Sequence, residues 1–138
     1  MVSSLINQGA FMAENPFAGD GPEATFRQAL AAGQFTIQQC NACRKHVFYP
    51  RTLCNHCGSP NLTWKPAAGT GTVYSTSTEH YRPEQGGDKN IAVVELDEGP
   101  RLLTRITDIA PAEVRIGMRV AAHIGEENGI KMILFRKA

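Results

Sequence analysis

The chain has 138 residues, of which 42% are hydrophobic, 20% charged and 7% aromatic, with 14 basic against 13 acidic side chains. This composition excludes wholesale disorder, and about 70% of the unfolded surface can be buried at such a length, enough for one ordinary domain or two very small ones. A formal net charge of +1 lacks the basic excess that usually accompanies binding to nucleic acid or to a membrane surface.

Residues 1–21 are rich in small and polar types, punctuated by Asn15-Pro16 and Gly19-Asp20-Gly21-Pro22, and read as a loose arm. The segment Met1 to Phe17 carries no Lys or Arg ahead of its few apolar residues. It also lacks an apolar run of signal or membrane-spanning length, so the expected setting is cytoplasmic, with no membrane partner. Pro22 suits the first turn of a helix, Glu23 complements its dipole, and Phe26, Ala29 and Leu30 share one face before Gly33, which predicts a helix over 22–32.

The strongest motif follows. Four cysteines, the whole complement of the chain, stand as two C-x2-C knuckles, Cys40/Cys43 and Cys54/Cys57, with ten residues between the pairs. Each knuckle offers two thiolates from one tight turn, and a short hairpin brings the pairs together around one tetrahedral ion. This is a zinc ribbon with Cys40, Cys43, Cys54 and Cys57 as metal ligands. Four sulfurs close the coordination sphere, so the zinc is structural and leaves no position for activating water. Iron in the same cage, or two disulfides in an oxidising compartment, are the alternatives. The runs Phe35–Gln39 and His46–Pro50 are expected as ribbon strands, and Trp64 is expected to cover the apolar side of the metal site. A module of about 30 residues buries little surface, so the metal has to hold it.

From Gly69 the pattern changes to short β-runs. Thr72–His80, Ile91–Leu96, Arg101–Thr107, Arg119–Ile124 and Ile130–Arg136 are each bounded by Gly, Pro, Asp or Asn, predicting a small five-stranded barrel of the OB type, with an SH3-like barrel as the alternative. Asp97-Glu98-Gly99-Pro100 and Glu126-Glu127-Asn128-Gly129 read as hairpin turns. The expected fold class is thus mainly β: an arm (1–21), a helix with a rubredoxin-like four-cysteine ribbon (22–68) and an OB-fold barrel (69–138).

Enzymatic vocabulary is missing: no nucleophile elbow, phosphate loop, dinucleotide fingerprint or zincin motif occurs. His46 and His56 are expected as solvent-facing loop residues, and His80 and His123 have no evident acid partner in sequence. Thr76-Ser77-Thr78 reads as the wet face of a strand. Arg51, Arg82, Arg101, Arg105 and Arg119 are dispersed, and would form an anion site only if the fold brought them together.

The order of arm, helix, four-cysteine ribbon and barrel resembles the acyl-CoA-associated OB-fold proteins with an N-terminal rubredoxin-like zinc ribbon, the thiolase-associated domain of unknown function 35. The resemblance runs from about residue 22 to 136. It rests on Phe26–Gly33, the cage with Pro50-Arg51 between its halves, Gly71–Ser75, Val93–Arg101 and Ile116–Val120. It implies a non-catalytic accessory subunit in a hetero-oligomer with a thiolase-type enzyme that forms or cleaves carbon–carbon bonds in acyl-CoA thioesters, with acyl-CoA held by the assembled complex. A hydratase or aldolase partner is the first alternative. A single-stranded nucleic-acid module is the second, weakened by the balanced charge and by a barrel with few aromatic residues.

Overall fold

The computed structural model describes residues 21–138; the expected arm lies outside the described residues apart from its last residue. Helix α1 spans Pro22–Ala31. Pro22 sits at its start, Glu23 in the first turn accepts from Arg27 Nε at 3.1 Å one turn on, and Leu30 is its buried anchor at 2% exposure. The helix stops where Gly33 takes φ 83°, a conformation that costs glycine nothing.

Strands β1 (Thr36–Cys40), β2 (His46–Val47) and β3 (Leu62–Pro66) form the ribbon sheet in the order β2-β1-β3, all antiparallel. The second ribbon strand is shorter than the sequence predicts, because the chain leaves the ladder at Phe48. That ring instead meets Phe26 edge-on at 5.4 Å between centroids and Phe35 at 6.5 Å. Trp64 stacks on Phe26 at 6.5 Å. The expectation that it covers the metal site is therefore corrected: Trp64 faces the helix, and Val47 and Leu62 pack on the cysteines.

The remaining strands are β4 (Thr70–Glu79), β5 (Lys89–Leu96), β6 (Arg101–Thr104), β7 (Ile106–Thr107), β8 (Arg119–Glu127) and β9 (Ile130–Lys137). They form one sheet in the order β6-β5-β4-β8-β9-β7, with β7 parallel to β9 and the other pairs antiparallel. The two ends of this strip, β6 and β7, are consecutive in the chain, so the sheet curls into the OB-type barrel. The inner residues alternate as a half-buried strand requires, with Asn90, Ala92, Val94 and Leu96 inward on β5. A bulge between Val73 and Ser75 bends β4 around the core, and a 3-10 turn at Pro111–Glu113 occupies the expected interruption before β8. Leu30 of the helix and Ile37 of the ribbon join the same buried cluster as Val73, Val94, Val120 and Phe135 of the barrel. Helix and barrel therefore share a core.

The third expected strand is divided in two, because Arg105 leaves the ladder. Its guanidinium donates to Glu79 Oε1 at 2.9 Å and to the Asn90 carbonyl at 2.9 Å, and lies 3.3 Å from Glu127. Asn90, only 3% exposed, bridges the interruption. Its Oδ1 accepts from Ile106 N–H at 2.9 Å, and its Nδ2 donates to Thr76 Oγ1 at 2.8 Å and to the Ser77 carbonyl at 3.2 Å. A side-chain amide thus replaces the main-chain partners that a straight strand would have supplied.

Two outcomes follow from these contacts. Asn90→Ala strands the Ile106 N–H, buried, and the Thr76 hydroxyl without their partners, and we expect a loss of roughly 2–3 kcal/mol, read as a lower denaturant midpoint at unchanged slope. A loss under about 0.5 kcal/mol, within the range of ordinary surface changes, would contradict the bridging role. Asp97, in the β5–β6 turn, is gripped by both terminal nitrogens of Arg119 at 2.7 and 2.9 Å and by the Thr70 hydroxyl. These bonds, the one from Arg119 foremost, hold its carboxyl down to about 2. The folded value is depressed, so the contribution is complete above the unfolded carboxylate value near 4 and disappears as pH falls through about 2. Arg119→Met should raise the Asp97 titration towards about 4 in a carbon-detected NMR titration; an unmoved titration would assign the shift to Thr70.

Candidate metal centre

The chain leaves β1 at Cys40 and turns at once, and each knuckle repeats the same device. Arg44 N–H returns to the Cys40 carbonyl at 2.9 Å, and Gly58 N–H to the Cys54 carbonyl at 2.8 Å. The turns leave main-chain donors facing the sulfurs: Cys43 N–H lies 3.5 Å from Cys40 Sγ and His56 N–H 3.3 Å from Cys54 Sγ. Around them, Asn41 Nδ2 donates to Asn61 Oδ1 at 2.9 Å and Thr63 Oγ1 at 2.7 Å, tying the first knuckle to β3. Gln38, 3% exposed, exchanges two 2.7 Å hydrogen bonds with the main chain of Arg51 and so fixes the linker between the knuckles.

The four sulfurs of Cys40, Cys43, Cys54 and Cys57 all lie within 4.8 Å of one another. Cys40 and Cys57 are 3.5 Å apart, and Cys43 and Cys54 3.7 Å. A tetrahedron with metal–sulfur bonds of about 2.3 Å has edges of about 3.8 Å, so the donor set fits a zinc-sized ion. The electrostatics point the same way. Cys40 is lowered to about 6, first by the Cys43 N–H, while Cys57 is pushed up to about 11, where the Cys40 thiol, burial and the other two thiols outweigh the Ser59 N–H. Four adjacent thiolates repel one another, and a cation at their centre lets all four ionise together. Such a centre orders the knuckles and supplies no open coordination position.

The other residues singled out in sequence lie apart from this centre. His56 is exposed and His46 half-buried, and both flank the knuckles. His80 pairs with Asp88 at 3.1 Å in an exposed loop, an acid partner that sequence reading missed. His123 Nε2 meets Thr107 Oγ1 at 2.9 Å, and burial followed by the Arg136 charge lowers its pKa. Thr76 serves Asn90. The arginines do not converge: Arg101 pairs with Glu95 at 3.1 Å and lies over the Tyr74 ring at 3.7 Å, while Arg105 and Arg119 hold separate carboxylates. Gln38 and Asn90 carried no sequence signal beyond polarity, and Asp97 was legible only as a turn residue. Among the described residues no helix is long and apolar enough to cross a membrane.

Where β6 diverges from the start of β9, Thr104 Oγ1 bridges to the Ile133 carbonyl at 2.9 Å in place of a ladder. Outside that bridge an open apolar groove of about 510 Å³ runs between barrel, helix and ribbon, lined by Phe26, Leu30, Tyr49, Leu103, Met132 and Ile133. Tyr49 spans it, its hydroxyl accepting from the Leu103 N–H at 2.9 Å.

Comparison with known proteins places both halves. Residues 27–63 match the family model described as the rubredoxin-like zinc ribbon domain of ChsH2, and residues 64–125 the one described as its C-terminal OB-fold domain. A probable enoyl-CoA hydratase alpha subunit of Thermomonospora curvata is 40% identical over 95 residues, which is 67% of this chain and 30% of that protein. A DUF35 domain-containing scaffold protein of Pyrococcus furiosus is 33% identical over 84 residues, 54% of this chain and 58% of that one. The chain thus spans only 30% and 58% of the length of these two relatives. Among solved structures, a chain of the Ltp2-ChsH2(DUF35) aldolase superposes with a TM-score of 0.74 at 35% identity, covering 87% of this chain and 97% of that one.

The cage generates one direct test. Cys54→Ser should lower zinc content, measured by elemental analysis, and release amide-exchange protection in β1–β3 while the barrel strands stay protected. Retained stoichiometric zinc would remove Cys54 from the ligand set, and collapse of all protection would show that ribbon and barrel fold as one unit.

Proposed function

The chain belongs to the ChsH2 (DUF35) family of zinc-ribbon and OB-fold proteins, and from that premise we propose that it is a non-catalytic accessory subunit that docks on an enzyme acting on acyl-CoA thioesters. In this reading Cys40, Cys43, Cys54 and Cys57 hold one structural zinc, residues 22–68 form the ribbon module, and residues 69–138 form the barrel. The observation that carries it is the superposition on almost the whole length of a ChsH2 chain from an aldolase assembly. The partner we favour is accordingly an aldolase-type enzyme that makes or breaks a carbon–carbon bond. A hydratase stands second on the strength of the Thermomonospora curvata relative. A thiolase-type partner, the foremost expectation from sequence, assigns this chain the same role on a different enzyme.

The physical case is one of preorganisation. A metal-closed ribbon, an aromatic joint of Phe26, Phe35, Phe48 and Trp64, and a barrel bridged at Asn90 present their surfaces with little conformational entropy left to lose on docking. The exposed apolar side chains Tyr49, Tyr74 and Leu103 suit a protein interface better than a nucleic-acid groove, which needs unpaired cations beside stacking rings.

Tagging the chain in its host, purifying gently and identifying stoichiometric companions by mass spectrometry tests the proposal. An acyl-CoA lyase, hydratase or thiolase should co-purify, and the partner's turnover should fall severalfold when this chain is omitted and recover on adding it back. Turnover by the isolated chain, or a salt-sensitive complex with single-stranded nucleic acid, would refute the accessory role.

A further inference from the structure

We propose that the groove between β6, the start of β9 and helix α1 is the seat of this chain's own N-terminal arm, with Phe11 and Met12 as the residues that fill it. The two strands approach each other there without a ladder. Among the described residues β6 pairs with β5 alone, and β9 meets β7 only at Phe135 and Arg136, so from Ile130 to Ile133 that flank of β9 has no strand beside it. Side chains stand in for the missing partner: the Tyr49 hydroxyl accepts from the Leu103 N–H at 2.9 Å, and Thr104 Oγ1 donates to the Ile133 carbonyl at 2.9 Å. Main-chain groups along a strand point alternately to its two sides. These edges therefore offer an extended segment hydrogen bonds as well as apolar contact.

Length and point of attachment favour the arm as the occupant. Residues 1–20 join the described chain at Gly21, and Glu23, Phe26, Arg27 and Leu30 of the helix that begins at the next residue line the groove. The ten residues from Phe11 to Asp20 can span up to about 33 Å, whereas the helix Pro22–Ala31 is about 15 Å long. Phe11 can thus reach any point along the helix face. Ala10, Phe11, Met12 and Ala13 form an apolar run, and no proline precedes Pro16, so each residue from Val2 to Asn15 keeps an N–H for a strand edge. Attachment at Gly21 also gives the arm an effective concentration of millimolar order at the groove, an advantage that a second copy or a separate protein lacks.

The charges agree with this seat. Around the groove, Arg27 is held by Glu23 at 3.1 Å, and Arg105 by Glu79 at 2.9 Å and Glu127 at 3.3 Å. Lys131 is exposed and forms no ion pair among the described residues. The charge left uncommitted at the rim is therefore positive. Residues 1–20 carry Glu14 and Asp20 and no Lys or Arg, so the arm brings the opposite sign. Seated there, it shields in the free chain two large apolar side chains, Tyr49 and Leu103, that are otherwise 51% and 56% exposed.

NMR of the zinc-loaded full chain tests the proposal. Nuclear Overhauser contacts should run from the Phe11 ring and the Met12 methyl to the side chains of Leu103, Met132 and Ile133, and should be unchanged on dilution. Phe11→Ser combined with Met12→Ser should erase them and speed exchange of the Leu103 amide severalfold, while the protection of β1 and β5 and the zinc content stay as in the parent. Contacts that fade on dilution would overturn the proposal in favour of a second copy. Contacts to another face, no contacts at all, or a Leu103 amide as protected in the double variant as in the parent would overturn it outright.

Discussion

The N-terminal half of this protein depends on four sulfurs meeting within 4.8 Å. Its sheet consists of two strands of five residues and one of two, too little ladder to persist unaided, and its own buried cluster is Cys40, Val47 and Cys54. The thiolates thus supply both the interior of the ribbon and its cross-link. Zinc binding in such modules is worth about 10–16 kcal/mol and counts as folding free energy, more than so few apolar contacts provide. Everything the ribbon contributes elsewhere follows from that closure. Ile37 reaches the barrel core because β1 is held, and Tyr49 meets the open edge of β6 because Gln38 pins the linker between the knuckles.

The barrel solves a different problem, that of turning a strip of sheet back on itself. At the turning point the main chain gives up its ladder for one residue, and the freed hydrogen-bonding groups are taken by an amide and a guanidinium. A buried polar network is favourable only when each member is satisfied, and Asn90 meets that condition through bonds to Thr76, Ser77 and Ile106. Arg105 keeps its charge compensated by Glu79 and Glu127, drawn from strands on opposite sides of the break. The same residues that let the sheet curl also fasten β4, β5 and β9's partner β8 to one point.

These two constraints differ in how they are written in the sequence. The cage is local: two turns and a fixed spacing declare it, and the helix from Pro22 and most β-runs are equally plain because periodicity and punctuation are local signals. The division of the third barrel strand is non-local, since the carboxylates that draw Arg105 aside lie 26 and 22 positions away in sequence. Gln38 and Asn90 look in sequence like ordinary outward polar residues, and only the fold turns them inward. Trp64 illustrates the converse error. Its proximity to Cys57 in sequence suggested a lid on the metal, but along β3 it pairs with Gln38, two residues past the Leu62–Cys40 pair, and its ring stacks on Phe26 instead.

A metal-closed ribbon and a barrel with a shared core make a scaffold whose surfaces are fixed before any partner arrives. The groove at the divergence of β6 and β9 lies where helix, ribbon and barrel meet, so its shape reports on all three elements at once. Loss of the metal would release Tyr49 from the Leu103 N–H and so alter that groove from its ribbon side. An ion held by the four cysteines would therefore shape that groove at a distance, through the geometry of one short strand and the linker that follows it, which is a physical reason for so tightly built a donor set.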